Sequence, residues 1–266
     1  MNLGRVKSFL IYLFLAINIY LVVSLAMSSS FRIDDTTINN TVKILSDSGV
    51  SIEKEIIPKK VKNLKNIEAV NIIYTDAFKE SENYKNFDIS GNSFSYTQKN
   101  DILYSLKDSK IKKQMRKFLV NSGFDANYMT FSEISKTKDE KKLEITCTVN
   151  NYSVFDSKIT AEISKDSLKL YGIWYEPKTN SVLSNSRTRN TVYITSVLID
   201  LAENETFKKG SKKITGIEYG YMSGTLYGNK GHITATALPY YRITDEAGKI
   251  YYYDASDGTY NNSVSE

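Results

Sequence analysis

The first 27 residues and the rest of the chain follow different hydrophobic rhythms. From Ser8 to Met27, 20 residues run without a charge, SFLIYLFLAINIYLVVSLAM. Such a run coiled into a helix extends about 30 Å, the thickness of a bilayer hydrocarbon core. Helical spacing then returns three times. Ile38, Val42 and Leu45 recur behind Asp34-Asp35 and ahead of Gly49, which predicts a capped helix with a glycine stop. Ile111, Met115, Phe118 and Leu119 form a second stripe that begins near Asp108 and ends at Gly123. Ile194, Val197, Leu198 and Leu201 form a third within residues 191–204.

Between these stripes the period falls to two. VSIEKEII alternates up to Pro58, IEAVNIIY follows, and residues 87–106 read as a hairpin around Gly91-Asn92. Four strands are expected next, KLEITCTVNNYSVF among them, preceded by ANYMTFSEI and followed by SKITAEIS and SLKLYGIWYE. Their connections are KTKDEK, a turn around Asp156, and Lys165-Asp166. KKITGIEYGYMSG, GHITATALPYYRIT and GKIYYYDA close the chain as further strands. Short polar connections favour antiparallel neighbours. The expected fold class is therefore α+β, with helix-plus-antiparallel-meander modules after a single N-terminal transmembrane helix. The expected divisions are a cytoplasmic tip (1–7), the span (8–27), a first extracytoplasmic module (28–106), and a second region of two helix-plus-sheet units (107–266).

Charge orients the apolar run. Arg5 and Lys7 precede it and the first acid is Asp34, so positive-inside bias puts the short N-terminus in the cytoplasm and the bulk of the chain outside. A cleaved signal peptide competes, because Ser24-Leu25-Ala26 presents small residues to a peptidase, but the run exceeds the 7–15 apolar residues of such peptides. No cysteine near its end supports a lipoprotein.

Composition narrows the chemistry. The single cysteine, Cys147, excludes a disulfide framework and multi-thiolate zinc sites, and the single histidine, His232, excludes poly-His metal cages. No nucleophile–base–orienter set is visible, so no enzyme activity and no cofactor is expected. A net charge of +5 over 266 residues is too small to suggest a nucleic-acid partner.

Several segments together resemble the YycI family of Gram-positive regulatory membrane proteins. They are RVKSFLIYLFLAINIYLV with its embedded Asn18, then IDDTTINNTVKILSDSGVSIEKEIIPKK, and finally TATALPYYRITDEAGKIYYYDA. Tyr241 stands where a tryptophan is expected from that family. The resemblance touches both ends of the chain, while residues 69–190 match by pattern alone. It implies a membrane-anchored partner of an essential sensor histidine kinase and of a YycH-like sister protein, tuning cell-wall control without a catalytic centre. The last hairpin, ending in Asp254-Ala255-Ser256-Asp257-Gly258, is also similar to PepSY units, which act as extracytoplasmic regulatory modules.

Asn18 is the most informative polar position. An amide in hydrocarbon needs a hydrogen-bond partner, either a neighbouring helix or its own backbone. Ile11, Phe14, Leu21, Val22 and Leu25 share its face, and with it they form the candidate partner-contact surface. His232 lies in a glycine-rich turn and Cys147 in an alternating strand, and both read as structural. Asp34-Asp35 reads as a helix cap and Asp245-Glu246 as a hairpin turn. Lysines gather at 59–65, 110–117 and 208–213, as solvated faces or as sites for anionic wall polymers or lipid headgroups. The tyrosines at 219, 221, 240, 241 and 251–253 serve either sheet packing or a docking face.

Overall fold

A computed structural model describes residues 11–21, 30–99, 103–182, 191–204, 207, 213–227 and 234–261. Residues 11–21 form helix α1. There follow β1 (Ser30–Arg32), α2 (Asp35–Asp47), β2 (Ser51–Ile52), β3 (Lys60–Lys62), β4 (Ile67–Asn71) and α3 (Asp76–Lys79). Next come β5 (Phe87–Ser90), β6 (Ser93–Lys99), α4 (Asp108–Asn121), β7 (Met129–Phe131), β8 (Ser135–Lys136) and β9 (Glu140–Val149). The chain closes with β10 (Tyr152–Ser164), β11 (Ser167–Ile173), β12 (Tyr175–Val182), α5 (Ile194–Glu203), β13 (Lys213–Tyr227), β14 (Thr234–Asp245) and β15 (Ile250–Asp254).

The helices form where the stripes predict them. Asp34 caps α2 by accepting from the Thr37 amide at 2.7 Å, and Ile38 and Leu45 are buried. Helix α4 buries Ile111, Met115 and Leu119, and α5 buries Ile194, Val197, Leu198 and Leu201. The Val192 amide donates to the Ala255 carbonyl at 2.7 Å and ties the entry of α5 to the segment after β15.

The modular expectation is corrected by the strands. The helix-plus-meander units do not exist as separate sheets. One mixed sheet of 13 strands runs β12-β4-β14-β13-β10-β11-β6-β5, with β15, β2, β7, β8 and β9 attached to it. β10 pairs with β13 in parallel, and so does β2, an arrangement no meander contains. The long strands β13 and β14 join segments far apart in sequence, and that pairing outweighs local order.

The expected transmembrane helix is corrected as well. Among the described residues no helix is long and apolar enough to cross a membrane. Helix α1 spans about 16 Å at its 11 residues, and residues 8–10 and 22–27 lie outside the described residues.

The turn expected at Asp156 lies elsewhere. Asn150 and Asn151, at φ 51° and 69°, connect β9 to β10, and β10 continues through Asp156. Two consecutive positive φ values suit a tight hairpin turn, and asparagine tolerates them.

The chain forms two compact units. One comprises residues 1–64, 188–217 and 242–266, and its core holds α2, α5 and the Phe207–Tyr251 ring pair, 5.4 Å apart. The other comprises residues 65–187 and 218–241. Its core is aromatic: Phe78 lies 5.1 Å from Phe87, Phe94 5.5 Å from Phe124, and Phe124 6.0 Å from Trp174.

Candidate functional site

Helix α1 carries four of the predicted contact residues: Ile11, Phe14, Asn18 and Leu21. Val22 and Leu25 lie outside the described residues. Large apolar side chains are exposed all around the helix, from Leu13 at 46% to Tyr12 at 72%, with Phe14 at 70%. A helix that is hydrophobic on every side belongs inside a core or a membrane. The Asn18 side-chain amide donates to the Phe14 carbonyl at 2.9 Å, one turn back. That bond is local, and it is the own-backbone partner among the two expected. Ile11, Phe14, Leu15 and Asn18 together line one apolar concavity on the helix.

A second constellation, absent from the sequence reading, lies in the 65–187/218–241 unit. Strand β10 pairs with β9 at Ser153↔Thr148 and resumes only at Lys158↔Thr146, so residues 154–157 bulge out of that ladder. A bulge of this kind re-aims side chains. Val154 now bridges to Tyr221 of β13. Asp156 accepts from the Ser223 amide at 3.0 Å and from the Ser223 hydroxyl. Ser157 turns to β12, accepting from the Tyr175 amide at 2.8 Å and donating to the Tyr175 carbonyl at 3.2 Å. Gly220 permits this approach, because a Cβ there would stand 2.4 Å from the Ser153 carbonyl oxygen and 2.7 Å from the Phe155 ring. The bulge is thus a polar node that joins three strands.

Burial governs the electrostatics of the node. It pushes the Asp156 carboxyl up to about 6, against which the Ser223 amide pulls down. Burial likewise raises Glu176, whose Oε1 accepts from the Asp125 amide at 2.7 Å and from the Trp174 indole at 2.9 Å. Burial raises the Cys147 thiol, and the Glu176 and Asp156 carboxylates add to the rise. A thiol held protonated is neither nucleophile nor metal ligand at neutral pH. Asp156 and Ser157 join strands, Glu176 holds the Asp125 loop and the Trp174 indole, and among the described residues no His/Cys/Asp/Glu cluster is suited to a metal ion.

The remaining sequence candidates sort by burial. Tyr221, Tyr241, Tyr251, Tyr252 and Tyr253 are buried, and Tyr219 lies against Tyr241 with ring centroids 5.0 Å apart. These side chains pack within their units. Asp245 closes its turn by accepting from the Ala247 and Lys249 amides at 2.9 and 2.8 Å. His232 and Lys208–Lys212 lie outside the described residues. The sequence carried one sign of the β10 node, an acid directly after the adjacent apolar pair Val154-Phe155, which breaks strict alternation.

No family model matches the chain, and no curated protein matches it. A crystal structure of an uncharacterized protein from Eubacterium rectale is similar to it at a TM-score of 0.44 and 10% identity, covering 80% of this chain and 89% of that one.

Proposed function

We propose that the protein is a non-enzymatic accessory regulator of a membrane sensor histidine kinase controlling cell-wall metabolism, similar in kind to YycI proteins and acting with a YycH-like sister. It sits at the cell membrane with its bulk outside. The observation that carries this reading is the uncovered apolar surface of α1. Nine large apolar side chains between Ile11 and Leu21 are 46–72% exposed. At about 1.5–3 kcal/mol for each such side chain fully buried, covering them is worth on the order of 10 kcal/mol. A surface of this kind marks a membrane or protein contact. A membrane surface or a partner protein takes it up, and the Ile11–Phe14–Asn18 face is the part offered to the kinase.

Regulation then follows from differential binding. The protein biases the kinase only if it binds one signalling state more tightly than the other. The test places a photo-crosslinking amino acid at Phe14 or at Tyr12, which lies 160° away around the helix, in native membranes. The kinase is expected to crosslink at Phe14 and not at Tyr12. Crosslinks to lipid alone at both positions contradict a kinase contact through this face.

A further inference from the structure

Helix α4 is amphipathic in an unusual way: its wet face is cationic. Ile111, Met115 and Leu119 turn inward. Lys110, Lys113 and Lys117, at i, i+3 and i+7, are exposed on the opposite side. They form a stripe one lysine wide and about 10 Å long, with neighbouring Cβ atoms about 5–6 Å apart.

The helix's other charges are already engaged. Arg116 donates to the Ala126 carbonyl at 3.0 Å and lies 5.0 Å over the Phe131 ring. Asp108, the one acid of α4, pairs with Lys136 at 2.8 Å and also feels Lys141 and Lys112. Lys141 in turn donates to the Leu106 carbonyl at 2.9 Å. Among the described residues none of Lys110, Lys113 and Lys117 forms an ion pair. The cationic excess beside Asp108 therefore extends along the helix without a counter-charge.

We propose that this stripe binds a linear phosphodiester polyanion outside the cell, of the polyalditol-phosphate type. Charge complementarity selects the partner. A single file of lysines at short, regular intervals matches a chain that carries one negative charge per short repeat. Ser109, Gln114 and Asn121 flank the stripe, with the exposed Val120 the single large apolar side chain beside it, whereas a lipid-surface helix carries several apolar residues to insert beside its lysines. The exposed face holds no aromatic side chain on which nucleobases would stack, so single-stranded nucleic acid is a poorer fit. The inference is independent of any kinase contact through α1.

The test uses the full chain in neutral detergent, titrated with synthetic poly(glycerol phosphate) at several salt concentrations. The variant Lys110→Gln/Lys113→Gln/Lys117→Gln changes only exposed side chains, so its thermal melt is expected to match the parent. The slope of log K against log salt should fall in magnitude by about 2, the share of three phosphate contacts on a flexible chain. Lys165→Gln/Lys169→Gln, exposed lysines at β11 and the turn before it, should bind as the parent does. If the triple variant melts early, Lys113→Glu alone serves, and it should weaken binding several-fold.

An unchanged slope in the triple variant overturns the proposal. Equal or tighter binding of oligothymidylate overturns it in favour of nucleic acid. Binding only to phosphatidylglycerol vesicles, and not to the polymer, overturns it in favour of a membrane surface.

Discussion

Asp156 keeps its proton to about pH 6 in the folded chain, against 3.8 for an ordinary aspartate, because burial penalises its charge. The sign follows from linkage. A carboxyl whose folded value is raised contributes stability that is fully present below the unfolded value, and that stability is lost as pH rises through the folded one. The window is therefore pH 3.8 to about 6, and the loss at neutral pH is about 2–3 kcal/mol. Asp156→Asn keeps the shape and an acceptor for the Ser223 amide while removing the ionisation. The unfolding free energy of the parent minus that of the variant should fall by this amount between about pH 4 and pH 7. Trp174, the single tryptophan and a member of the same unit, reports the unfolding. A difference that stays flat across that range contradicts the account. The break in alternation at Val154-Phe155-Asp156 marks an irregularity, but the local sequence does not reveal the residue's partner, since Ser223 lies 67 positions away. Asn18, by contrast, stood out at once as an amide within an uncharged run.

At the scale of elements, the Asn150–Asn151 turn sets the register of β9 against β10. Asn151 sits at φ 69°, which a β-branched residue reaches only at about 1–2 kcal/mol. Asn151→Val should destabilise the chain by that much in urea unfolding, whereas Asn151→Gly should not destabilise it. Equal stability of the two variants would show that the turn is not held as described. The helices were legible because a stripe such as Ile111, Met115 and Leu119 is a local signal that burial then uses directly. The turn was misplaced because Asn150-Asn151 lies inside a run that is strand-like on both sides, while Asp156 looks like punctuation. The joining of all these strands into one mixed sheet was not legible. It depends on β13 and β14, whose partners β2, β4 and β10 are distant in sequence, and hydrophobic alternation says nothing about which strand pairs with which.

For the molecule as a whole, the decisive feature is an apolar helix that the chain's own core does not cover. The two compact units each bury their own stripes and aromatic clusters, while α1 exposes Tyr12, Phe14 and Tyr20 at 70% or more. Such a surface persists only where lipid or another protein takes it up. The Asn18 amide adds direction, because its bond to the Phe14 carbonyl leaves the side chain on the face with Ile11 and Leu15. A single hydrogen bond between apolar helices contributes only about 0.6 kcal/mol on average, so in the proposed kinase contact the packing of the whole face, and not Asn18 alone, supplies the affinity. The most direct measurement is affinity purification from solubilised native membranes, comparing the parent with a variant whose residues 8–27 are replaced by an unrelated apolar anchor. The account predicts that a sensor histidine kinase is recovered with the native segment and lost with the replacement. Recovery of the kinase with both, or with neither, contradicts it.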